Sequence, residues 1–355
     1  MTSLLDHAPG MSRRRAIAGM ATLVATCSCR AALAQTAPQS LSASYRIDTH
    51  HHIFPPAFLA EERERVMQAS PGLPPNVIDQ WSPQVALEDM DKNGLATAVV
   101  SISTPGVWMG NVEEGRRLSR LCNEYGAKLI ADHPGRFGMF AALPLPDIEG
   151  SLREIEYALD VLKLTGIGLL TSYGDRWPGD PAFYRVFEEL NRRKAVVYFH
   201  PTAPDCCRNL GQDTLVQIEY PTDTTRCAAS LYIGGVLSRC RDITFILSHG
   251  GGSLPAFGSR LDTISGPPDK PRWPTRAIDE FMRLNYDTAA VLNQPAMAAL
   301  RKFVPASQIL MGTDFPYRSA GRAVKDIREL GVFSESELMA IERDNALRLL
   351  PRLKV

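Results

Sequence analysis

The chain has 355 residues, 45% of them hydrophobic and 22% charged, an ordinary globular composition that is enough to bury a large core. Lysine plus arginine and aspartate plus glutamate both number 39, so no net field is available to hold nucleic acid or an acidic membrane surface. Whatever binds does so through a local site.

In chain order, the first 34 residues stand apart. Ser12-Arg13-Arg14-Arg15 leads into the apolar run Ala16 to Cys29 and then Ala32-Leu33-Ala34. These are the basic, apolar and small-residue parts of an export signal, and the adjacent arginines point to the twin-arginine route. The run is too short to span a bilayer. The expectation is a signal peptide over 1–34, a Ser/Ala/Gln linker over 35–44 and one domain over 45–355. The mature protein is then periplasmic or secreted and makes no use of the membrane. Cleavage removes four arginines and one aspartate and leaves a formal charge of −3.

Five cysteines remain, Cys122, Cys206, Cys207, Cys227 and Cys240; an odd number without regular spacing is not a disulfide framework. Neighbouring side chains usually point apart, so Cys206-Cys207 is expected to pack its loop rather than clip a metal.

From Tyr45 onward, short β-branched runs alternate with segments of helical periodicity. Strands are predicted at 45–53, 96–104, 136–143, 166–173, 195–201, 243–249, 284–289 and 308–314. Helices are predicted at 83–93, 112–133, 148–163, 181–193, 223–238, 252–264, 292–302, 320–329 and 335–349. Eight strands, each followed by a helix, give an α/β fold of the (β/α)8 TIM-barrel type. An open doubly wound sheet fits the same alternation, but no G-x-G-x-x-G follows the first strand. Phe54 to Ser82, with five prolines, reads as an insertion folded over the catalytic face.

Outside the leader there are six histidines, and five lie at predicted strand ends, where barrel enzymes place their chemistry. Side chains alternate along a strand, so His50 and His52 share a side and His51 faces the other way. The fifth strand ends at His200, the sixth at His249 and the eighth at Asp314. Closing the barrel gathers these ends, and neutral nitrogens with one carboxylate suit Zn2+ or another borderline divalent ion. His51 is expected to be a supporting or core histidine, and His133 a helix-terminal one.

The segments D-T-H-H-H-I-F-P, Y-F-H-P-T, S-H-G-G-G and M-G-T-D-F-P-Y resemble the amidohydrolase superfamily, in particular the branch of aminocarboxymuconate semialdehyde decarboxylase. Ile102-Ser103-Thr104-Pro105 and the stretch from Tyr220 to Ser230 extend the resemblance over nearly all of the mature chain. It implies that His50, His52, His200 and Asp314 bind one divalent metal, Zn2+ first with Mn2+ or Co2+ as alternatives. It also implies that His249 stands beside the metal as general acid/base, and that the protein forms a homodimer. The fourth strand, Gly168 to Tyr173, lacks the lysine that bridges two metals in binuclear relatives. Gly250-Gly251-Gly252 replaces the glutamate that deaminases of the superfamily carry after the histidine.

The resemblance favours non-oxidative decarboxylation of a small aromatic, hydroxybenzoate-like or dienoic carboxylate. His249 or Asp314 would deliver a proton to the carbon that loses CO2. A mononuclear hydrolase such as a lactonase, with Asp314 as base toward a metal-bound water, and a hydratase are alternatives. A periplasmic binding protein without turnover competes from another class, though it has no need of an unligated His249. Substrate-facing candidates are Trp108, for stacking on a ring, Arg226, for pairing with a carboxylate or a structural partner, and Asp287 at the seventh strand end. Glycines 250–252 either hold a substrate oxygen with free N–H groups or make a tight turn.

Overall fold

The computed structural model describes residues 45–353, apart from 71–73, 75, 208–210 and 212–213. The leader and linker read in residues 1–44 lie outside the described residues. Eight parallel strands follow one another in sequence order: β1 (Arg46–His52), β2 (Leu95–Ser101), β3 (Phe137–Ala142), β4 (Gly166–Leu170), β5 (Val196–His200), β6 (Thr244–Leu247), β7 (Asn285–Asp287) and β8 (Ile309–Leu310). The two ends of the sheet meet. Thr49 N donates to Met311 O at 2.9 Å, Asp314 N to His50 O at 2.9 Å and His52 N to Phe315 O at 2.8 Å. This is the (β/α)8 barrel, and an open sheet is excluded.

β8 is much shorter than the predicted 308–314. After Leu310 the chain pairs with β1 instead of continuing its ladder, and Asp314 takes a left-handed φ of 67° that ends the extended run. That crossing sets Asp314 beside His50 and His52.

Local signals start and stop the helices as the sequence predicts. Ser82 caps Pro83–Asn93 by accepting from Val85 N, and Gly94 closes the helix at φ 70°. Asn111 caps Val112–Asp132 in the same way, with Glu113 and Glu114 against the positive end of the helix dipole. The helix predicted from 223 starts earlier, at Tyr220, after a turn at Leu215–Glu219. The insertion after β1 is mainly the helix Pro56–Ala69, and Tyr220 Oη donates to Ala69 O at 2.8 Å. Among the described residues no helix is long and apolar enough to cross a membrane.

Inside the barrel Ile47, Val99, Phe140, Val196, Tyr198, Ile246 and Leu310 form a core distinct from the strand-to-helix layer. Phe140 and Tyr198 stack at 4.9 Å, and Tyr198 meets the edge of His50 at 5.5 Å, so the apolar filling ends where the histidines begin. Ile47 and His50 are three residues apart yet both point inward. A register shift between Asp48 and His51 supplies the odd step.

Candidate metal centre and active site

Five side chains from four strand ends converge. His50 Nε2 lies 3.1 Å from His52 Nε2, and these two nitrogens lie 3.2 and 3.3 Å from Asp314 Oδ1. The ligating atoms of His50, His200, His249 and Asp314 all fall within 4.8 Å of one another, and the His52 and His200 rings meet at 4.7 Å. Distance alone therefore does not separate ligands from acid/base.

Anchoring does. His50 Nδ1 donates to Asp287 Oδ2 at 2.8 Å, His52 Nδ1 to Ser101 O at 3.3 Å and His200 Nδ1 to Pro201 O at 2.9 Å. Each bond fixes the tautomer that leaves an Nε2 lone pair facing the centre. Two ring nitrogens 3.1 Å apart need a positive charge against them, a proton on His50 in the metal-free chain or a cation in its place, and three imidazoles with one carboxylate are a donor set that fits a divalent metal. His249 is different: its Nε2 faces Asp314 Oδ2 at 3.7 Å, and among the described residues its Nδ1 has no hydrogen-bond partner.

Burial pushes His52 and His200 down, which keeps them neutral and able to donate lone pairs. Burial opposes charge on His50 too, but the Asp287 and Asp314 carboxylates outweigh it and raise His50 to about 10 in the metal-free chain. Burial would raise Asp314, yet the imidazoles of His249, His50 and His52 facing it hold its carboxyl well below the usual range.

The backbone holds His249 and Asp314 at φ 52° and 67°, left-handed values that cost a side-chain-bearing residue about 1–3 kcal/mol. The compensating bonds run from His249 N to Asp287 Oδ1 at 2.9 Å and from Asp314 N to His50 O. Asp48, which sequence reasoning overlooked, accepts from His50 N, His51 Nδ1, Thr313 N and Thr313 Oγ1 at 2.6–3.0 Å, tying β1 to the segment after β8. His51 is the supporting residue expected, stacked on Phe315 at 4.6 Å. His133 caps its helix C-terminus.

Gly312 has no room for a side chain, because a Cβ there would sit 2.8 Å from His50 Cβ and 3.2 Å from Asp287 Cβ. Gly312→Ala is expected to displace His50, costing about 1–3 kcal/mol of stability and lowering bound metal; a thermal melt and metal analysis check both.

The expected substrate residues need correction. Asp287 is fully buried, and its oxygens are taken by His50 Nδ1, His249 N and Ala289 N, so it positions the cluster from beneath rather than meeting substrate. Asp287→Asn is expected to weaken metal binding roughly 10–100-fold, measurable by competition with a chelator. Arg226 pairs with Glu219 at 3.3 Å and Asp223 at 3.8 Å and does not line the cavity. Asp223 is itself held by Thr171, Ser172 and Trp177. Trp108 lines a smaller cavity of about 30 Å³, too small for an aromatic ring, that shares His200 with the larger one. Glycines 250–252 make the tight turn: Gly251 N and Gly252 N donate to Ser248 O and His249 O.

The cavity above the cluster has a volume of about 830 Å³, ample for a small ligand. His200, His249 and Asp314 contribute to its lining, with Ser103, Tyr317 and Arg318. The buried Ser103 Oγ and Tyr317 Oη make no hydrogen bond of ordinary geometry among the described residues, although the Tyr317 hydroxyl faces Ser103 and Ser70. Arg318 is exposed and, among the described residues, pairs with no carboxylate. No periodicity marks these three; their only sequence signal is that each lies close behind a strand end.

The sequence profile of the amidohydrolase family matches residues 47–352. Decarboxylase yanB of Aspergillus niger is 37% identical over 339 residues, covering 87% of this chain and 88% of that protein. The 6-methylsalicylic acid decarboxylase acuB of Aspergillus aculeatus is 34% identical, over 87% of this chain and 97% of its own length. A solved dihydroxybenzoic acid decarboxylase from a Polaromonas species, with bound manganese and the inhibitor 2-nitroresorcinol, shares the fold. Its TM-score is 0.77 at 22% identity, with 88% of this chain and 98% of that one covered.

Proposed function

We propose, from the premise that this chain belongs to the amidohydrolase family and is a metal-dependent non-oxidative decarboxylase, that its substrate is a benzoate with a hydroxyl beside the carboxylate. The observation that carries the reading is one unanchored histidine, His249, facing Asp314 beside three anchored ones at a cavity large enough for a substituted ring.

His50, His52, His200 and Asp314 would hold the ion, and three imidazoles with one carboxylate favour Zn2+. When bound, the ion supplies positive charge for the substrate's oxygens. Arg318 draws the anion into the cavity, and the hydroxyls of Ser103 and Tyr317 at its wall offer hydrogen bonds to ring substituents. His249 Nε2 gives a proton to the ring carbon bearing the carboxylate. The bond from that carbon to the carboxylate then breaks, its electrons return to the ring, and CO2 leaves. Asp314 Oδ2 faces the His249 nitrogen at 3.7 Å and helps to orient the ring. Solvent entering the cavity returns the proton. The leader over residues 1–34 supports export, which signal-dependent periplasmic recovery of the protein would test.

The deciding experiment is CO2 release from a panel of 2-hydroxybenzoates by purified, metal-assayed protein. Prompt release, abolished by a chelator and restored by one equivalent of metal, is the expected result. Cleavage of lactones or esters by fully metallated protein with no CO2 would replace this reading with a hydrolase.

A further inference from the structure

Cys206 and Cys207 are expected to pack their loop; Cys207 is half-buried, and the two side chains also face one another. A short turn at Asp205–Cys207 brings the two sulfurs within 2.6 Å, roughly 0.6 Å longer than a disulfide bond. Side chains of adjacent residues diverge in extended chain, so this approach is a property of the turn. Two bonds hold it: Cys206 N donates to Asp175 Oδ1 at 3.1 Å, and Cys207 N to Pro204 O at 3.0 Å. Cys206 is exposed and Cys207 half-buried, whereas Cys122, Cys227 and Cys240 are buried. Reagents in solution therefore meet the pair first. The turn also lies between His200, at the end of β5, and the segment supplying Val216, Gln217, Tyr220 and Pro221 to the cavity wall.

We infer that Cys206 and Cys207 form a redox site, an exposed dithiol that a low-molecular-weight disulfide such as oxidised glutathione converts to a vicinal disulfide. Whichever of the two sulfurs is ionised attacks first. Its thiolate displaces one thiolate from the reagent and forms a mixed disulfide. The other cysteine then gives up its proton, attacks the sulfur of the first and releases the second thiolate. The two cysteine sulfurs are oxidised by two electrons, the reagent is reduced to two thiols, and those thiols take the two protons. This site is independent of the decarboxylase reading.

The test treats the full-length, metal-loaded protein with oxidised glutathione, alkylates it after unfolding and digests it with trypsin. Residues 195–208 form one tryptic peptide whose only cysteines are Cys206 and Cys207. The expected peptide is unalkylated and two hydrogens lighter, and a reductant restores both alkylation sites. In Cys206→Ser the peptide should instead carry one glutathione on Cys207, because the resolving sulfur is missing. Two alkylated cysteines after treatment, or a wild-type peptide arrested as the glutathione adduct, would overturn the inference. Peptides containing Cys122, Cys227 and Cys240 serve as the internal control and should remain fully alkylated.

Discussion

His249→Asn should lower kcat for decarboxylation by about 10²–10⁴-fold, the usual contribution of a positioned proton donor, while the protein keeps one equivalent of metal. Asparagine can hydrogen-bond at this place but cannot transfer a proton. The expectation rests on anchoring: His50, His52 and His200 each have Nδ1 tied down, whereas His249 has only the 3.7 Å approach of its Nε2 to Asp314. KM should change little, since Ser103, Tyr317 and Arg318 still line the cavity. Steady-state CO2 release beside metal analysis of the same sample gives both numbers. Loss of metal together with turnover would make His249 a ligand, which its place within the 4.8 Å cluster allows by distance alone.

Asp314→Asn should remove both metal and turnover, with a loss of affinity exceeding the roughly 10–100-fold typical of residues behind the ligands. Asp314 is the only carboxylate in the convergent set. One of its oxygens faces His50 and His52 and the other faces His249, so the substitution deprives both halves of the site at once. The same geometry sets a pH dependence in the unsubstituted protein. His50 is raised to about 10 in the metal-free chain, so at neutral pH it carries a proton that a metal must displace. Metal uptake should therefore release protons, and affinity should rise with pH until His50 is neutral without metal. Calorimetric titration in two buffers of different ionisation enthalpy measures the release. A proton count of zero at neutral pH would show that His50 is already neutral before metal arrives.

The barrel and most of the site could be read from local pattern. Apolar runs separated by amphipathic segments encode strand and helix wherever they lie, and a histidine closing such a run, as His200 and His249 do, falls on the catalytic face of any barrel. Alternation was enough to place His50 and His52 on one side. It could not place Ile47 with them, because the register shift after Asp48 is a product of pairing with β2.

Roles that depend on a distant partner were not legible. Asp287 looked like a substrate residue until the fold set His50, 237 positions away in sequence, against its carboxylate. Asp48 gave no signal of its own because its partner Thr313 lies 265 positions away. Arg226 found its counter-charge on its own helix and the turn before it, Trp108 settled beside a cavity too small for a ring, and Arg318 came to the cavity rim. By itself the sequence determined the order of elements and the kinds of ligand at their ends, because hydrophobic period and residue chemistry act over a few residues. Only the tertiary structure decided which nitrogen is anchored, which carboxylate is spent on support and which cation comes to the cavity, because hydrogen bonds and counter-charges are settled by packing between segments hundreds of residues apart.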